Sequence, residues 1–117
     1  MLRQRRERWR RLLERAREWA RWLARELERR GVRVEEIILF GSVARGDFQD
    51  DSDLDLIIVS PDWRGMSVTD RLGLLYRLWD KPVDATFVAV TREELERLLE
   101  KSVAIRDASG YWVRVYP

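Results

Sequence analysis

The sequence predicts one small α/β domain in which a mixed β-sheet is flanked by α-helices. Three observations predict it. Residues 2–30 place apolar side chains at three- and four-residue spacings, the period of a long amphipathic helix. Four apolar stretches of strand length follow, at residues 32–40, 53–59, 83–90 and 111–116. Helix-opening signals stand between the later ones, at residues 67–70 and 91–94.

The first helix turns Trp9, Leu12, Leu13, Ala16, Trp19, Ala20, Leu23 and Leu27 inward, with Trp22 at the edge of the stripe and Gly31 as its stop. Residues 32–40 are mostly apolar and read as a central strand. Gly41-Ser42 then turns the chain into a short helix, and a polar loop leads to the strand at 53–59, which Ser60-Pro61 ends. Ser67 to Asp70 resembles a capping box. It opens a helix to about Trp79 with Val68, Leu72, Leu75 and Leu78 inward, Gly73 weakening it slightly. In the strand at 83–90, Val83, Ala85, Phe87 and Ala89 alternate against Asp84, Thr86, Val88 and Val90. A second capping box at Thr91 and Glu94 starts a helix toward about Asp107, and a last strand runs from Tyr111 to Tyr116.

At 117 residues the chain supports one modest core and not two, and it shows no linker or repeat. No apolar run approaches the roughly 20 residues that cross a bilayer, and the arginine-rich start is unlike a secretory signal, so no membrane partner and a cytoplasmic location are expected. Cysteine and histidine are both absent, which excludes disulfides, thiol nucleophiles, ordinary zinc sites and histidine acid–base schemes. Carboxylates, hydroxyls and cations remain for chemistry. The net charge of +2 is unevenly spread: residues 1–30 carry 12 Arg against 5 Glu, and the remainder is acidic. That arginine face reads first as solvated surface, and otherwise as a partner or nucleic-acid surface in which Trp is interleaved with Arg.

Asp53 and Asp55 are one pleat apart on the same side of their strand, a repulsive arrangement that a proton on one of them or a hard, oxygen-seeking cation such as Mg2+ relieves. Upstream, the free amides at the Gly41-Ser42 turn suit an anion, most commonly phosphate. Asp84, from the next strand, can complete a three-carboxylate cluster if the two strands are neighbours. A metal site beside a phosphate cradle points to phosphoryl or nucleotidyl transfer. Arg45 is a candidate phosphate clamp or an ion-pair partner of the acidic loop. Asp47, Asp50 and Asp51 read as solvated loop residues. A P-loop fails because Asp47-Phe48 follows Gly46, and an EF-hand fails because Leu56 stands where glycine is needed.

Gly-Ser-x-Ala-Arg-Gly at residues 41–46, with Ser-Asp-x-Asp-Leu at residues 52–56, resembles the signature of the polymerase-β-type nucleotidyltransferase superfamily. It is similar above all to the minimal nucleotidyltransferases, often encoded beside a HEPN-domain protein as a toxin–antitoxin pair. The resemblance implies a basic helix at residues 1–30 joined to a catalytic core at 32–117. It also implies Mg2+ as cofactor, two ions in the family, and a nucleoside triphosphate, ATP, as substrate. Asp53, Asp55 and Asp84 would then be catalytic and metal-binding, while Gly41, Ser42 and Arg45 bind the nucleotide. The implied reaction moves AMP to an acceptor hydroxyl, a tyrosine of a HEPN toxin, with this chain as antitoxin. Neutralisation by docking alone and transfer to a small molecule or RNA are the alternatives, and a homo-oligomer stays open.

Overall fold

The computed structural model describes residues 2–49 and 51–117, so the reading of Asp50 as a solvated loop residue lies outside the described residues. Helix α1 (Leu2–Arg29) is followed by strand β1 (Glu36–Phe40), short helix α2 (Gly41–Arg45) and strand β2 (Leu54–Val59). After a 3-10 turn come α3 (Val68–Leu78), β3 (Ala85–Val90), α4 (Arg92–Lys101), α5 (Val103–Ala108) and β4 (Val113–Tyr116). The four strands form one mixed sheet in the order β3-β2-β1-β4. β1 runs antiparallel to both β2 and β4, and β2 runs parallel to β3.

Strand alternation gives the sheet two apolar faces. Ile37, Leu39, Leu54, Leu56, Ile58 and Phe87 meet α1 and α3 in the larger cluster, where Ala16, Ala20, Leu23 and Leu27 of α1 are fully enclosed. Ile38, Ile57, Val59 and Val90 meet Leu95 and Leu99 of α4 on the other face. Each fully buried leucine or isoleucine contributes about 1.5–3 kcal/mol from leaving water, so these two seams hold the helices on. At 28 residues α1 is about 42 Å long, against about 20 Å for the longest strand, so it overhangs the sheet. No helix among the described residues is long and apolar enough to cross a membrane.

Several element boundaries differ from the sequence reading. Val32 and Val34 are buried, yet the strand starts only at Glu36. The Val32 N–H donates to Leu27 O and the Arg33 N–H to Asp62 Oδ2, so those amides are spent on the helix end and a side chain instead of a neighbouring strand. Val68 is 63% exposed, not inward; Arg71 is enclosed in its place. Its guanidinium donates to Met66 O, Ala89 O and Glu94 Oε1, which satisfies a charge that burial would otherwise penalise. The expected helix to Asp107 breaks at Ser102, whose hydroxyl accepts from Ile105 N and restarts it as α5. The capping box at Thr91 and Glu94 forms in full. At Ser67 only the hydroxyl-to-Asp70 half is present.

Candidate active site

The candidate site lies at the end of the sheet where β1 stops and β2 and β3 begin. Register sets its first row: Phe40 pairs with Asp55, and Asp55 pairs with Thr86. Directly opposed residues share a face, so these three side chains stand together on the side that carries α4 and α5.

Gly41 follows Phe40 with φ +76°, a backbone conformation that side chains disfavour. A Cβ built there would overlap the Asp55 carboxylate. The Gly41-Ser42 turn and Asp55 are therefore in van der Waals contact, and only glycine permits it. Phe40 offers no side chain to cap α2, unlike Ser67, Thr91 and Ser102 at the heads of the later helices.

Asp55 is half-buried, and its carboxyl is pushed above the ordinary value of 3.8. Burial is the main cause and the Asp53 charge the next; the Thr86 hydroxyl and the Arg45 charge pull the other way. Asp53 and Asp84 are exposed and precede their strands, since β2 opens at Leu54 and β3 at Ala85. The Leu54 N–H donates to Asp84 O at 2.9 Å, which seats Asp84 beside Asp53 at the same sheet end. Alternation carried back from Thr86 puts Asp84 on the Asp55 face.

Among the described residues no three carboxylates stand close enough to hold one cation on protein ligands alone. The expected three-carboxylate cluster is thus not preassembled: Asp53 and Asp84 are exposed and stand just outside the strands, which do not fix their side chains. The donors present still suit Mg2+, which is commonly held by one or two carboxylates together with substrate phosphates. A half-buried carboxylate destabilised by a neighbouring one is the kind of group such a cation relieves.

Arg45, the candidate phosphate clamp, forms the alternative ion pair with Asp47 at 3.2 Å. Asp51 is exposed, and Ser52 closes the loop by accepting from Gln49 N at 2.7 Å. Helix α1 braces this end of the molecule. The Trp9 indole donates to Val43 O at 2.7 Å, its ring lies beneath Gly46, and Arg5 donates to Gly46 O and Phe48 O. Trp9, Trp19 and Trp22 are all packed on the chain's own core, the latter two edge-on to Trp79. The bracing role of Trp9 escapes sequence reading because its partner is 34 residues away. Thr86 was legible as the residue two beyond Asp84 on the same strand face. A basic groove of about 240 Å³ lies between Arg8, Arg11 and Arg15 of α1 and Ser52, next to Asp53.

A family profile described as the nucleotidyltransferase domain matches residues 20–110. A crystal structure from Sulfolobus solfataricus described as that of "a putative nucleotidyltransferase" is similar with a TM-score of 0.61 and 31% sequence identity. That similarity covers 80% of this chain and 78% of the other. The "Putative protein adenylyltransferase MJ0604" of Methanocaldococcus jannaschii is 59% identical over 27 residues, which is 23% of this chain. The match spans 27% of that relative's length.

Proposed function

The chain belongs to the nucleotidyltransferase domain family, and from that premise we propose that it transfers AMP from ATP to an acceptor hydroxyl and releases pyrophosphate. The observation that carries this reading is the contact between the Gly41 backbone and the Asp55 carboxylate. It brings the backbone of the Gly41-Ser42 turn and a cation-seeking acid into direct contact.

In this reading Gly41 and Ser42 receive the β- and γ-phosphates on backbone amides and a hydroxyl, and Arg45 adds positive charge at the rim. Asp53 and Asp55 would hold Mg2+, which when bound offsets charge on the phosphoryl oxygens. Asp84, exposed beside Asp53, would assist as a ligand or accept the proton as the acceptor oxygen bonds to the α-phosphorus. The bond to the β-phosphate oxygen breaks, and pyrophosphate leaves. Thr86 keeps the Asp55 carboxylate oriented.

The acceptor we assign is a protein hydroxyl, in keeping with the local match to a protein named as an adenylyltransferase. The motif resemblance supports a tyrosine of a HEPN-type toxin, with this chain as antitoxin. Incubation with labelled ATP, Mg2+ and that partner should label the partner and not when Asp53 is changed to Ala. Equal labelling by Asp53→Ala, or none by wild type, rejects the reading. The groove lined by Arg8, Arg11 and Arg15 favours one second reading, transfer to RNA. Salt-sensitive RNA binding together with labelled RNA would establish it instead.

A further inference from the structure

Behind the first row of the site, on the same sheet face, lies an apolar slot of about 190 Å³. Phe40, Ile57 and Val88 form its floor, Leu98 and Ile105 its outer wall, and Trp112 its far side. Its position follows from register. Ile57 and Val88 pair with each other one row behind Asp55 and Thr86, and two residues of strand rise amount to about 7 Å. Phe40, which lines the slot, lies directly across from Asp55. The Phe40 and Trp112 rings, both part of the lining, form a tilted pair with centroids 6.5 Å apart at 58°. Leu98 is 41% exposed at the mouth.

We propose that this slot receives the base of the nucleotide, an inference that rests on the transferase reading above. A triphosphate tail at Gly41-Ser42 and a reacting phosphorus at Asp55 leave the ribose to span the ~7 Å to the second row. A flat ring attached to that tail is the occupant of matching reach, because Phe40, which lines the slot, is paired in register with Asp55. Among the described residues its lining exposes no polar atom. The base is therefore held by stacking and burial and is not read by hydrogen bonds. Selection follows ring area and polarity: adenine first, guanine disfavoured only by the desolvation of its more polar edge, pyrimidines by lost contact.

The test measures binding of three probes with Mg2+ present: ATP, purine riboside triphosphate, which lacks the 6-amino group, and inorganic tripolyphosphate. ATP and the amino-less analogue should bind within about tenfold of each other, whereas a site that hydrogen-bonds the base rejects such an analogue by ~10⁴-fold. Both should bind more tightly than tripolyphosphate. Leu98→Trp, which fills the mouth from an exposed position, should weaken both nucleotides about tenfold or more, the scale of one lost stacking contact, and leave tripolyphosphate unchanged. The unchanged tripolyphosphate also reports that the variant is folded. Discrimination against the amino-less analogue beyond a hundredfold, or unaltered nucleotide affinity in Leu98→Trp, overturns the slot assignment alone and gives the slot to another occupant, such as a partner's apolar side chain. A wild-type protein that binds neither nucleotide nor tripolyphosphate overturns the transferase reading with it.

Discussion

Replacing Gly41 by Ala tests the contact on which the site is built. Two costs add. A side chain at φ +76° costs about 1–2 kcal/mol of backbone strain. The new Cβ also overlaps the Asp55 carboxylate, which must swing away and lose its polar setting against Thr86, a further ~1–3 kcal/mol. Gly41→Ala should therefore lose about 2–5 kcal/mol, a large share of the ~5–15 kcal/mol that holds a typical domain folded. Gly31 supplies the control. It has φ +83° with nothing near its would-be Cβ, so Gly31→Ala should lose only the strain, about 1–2 kcal/mol. Urea titrations of both variants separate strain from collision. Nucleotide transfer adds the functional readout: a displacement of about 1 Å at the reacting groups costs on the order of a hundredfold, expected for Gly41→Ala and not for Gly31→Ala. Equal destabilisation of the two variants, with Gly41→Ala transferring nucleotide like wild type, would refute the idea that turn and carboxylate are fitted to each other.

Three further outcomes are expected. Because the Asp55 carboxyl is raised in the folded state, the native protein binds more protons than the unfolded chain once pH passes the ordinary value of 3.8, and stability falls as pH climbs through that window. Asp55→Asn should thus be more stable than wild type at pH 7, with the gain vanishing below about pH 3.8, as read by denaturant titration at the two pH values. Trp9→Phe keeps the ring beneath Gly46 but removes the indole N–H donated to Val43 O. It should cost about 1 kcal/mol and weaken nucleotide binding by loosening the residues 41–46 turn, and nucleotide titration checks this. Arg71→Ala takes this donor from the carbonyls of Met66 and Ala89 and leaves Glu94 paired with the Thr91 amide. The loss should be about 2–4 kcal/mol by thermal or denaturant unfolding, below the full buried-pair value because Glu94 is itself more than a third exposed.

Period and spacing in the chain were enough to specify the order of its main helices and strands, though not every boundary. The three- and four-residue stripe of α1 buries Ala16, Ala20, Leu23 and Leu27 as read, and the alternation in residues 83–90 sorts Phe87 and Ala89 from Thr86, Val88 and Val90. These features are local, since one side chain's direction follows from its own place in the repeat. The motif residues at 41–46 and 52–56 were legible for the same reason, as Gly41 and Asp55 are defined by turn and strand types alone. Tertiary structure decided what lies across from what. The sheet order brings Asp55 between Phe40 and Thr86 and makes glycine obligatory at 41; α1 overhangs the sheet and gives the Trp9 indole its acceptor at Val43 O. Val68 and Arg71 traded places because a charge met three acceptors drawn from α3's own approach, β3 and α4, and no pattern within one helix encodes partners on other elements.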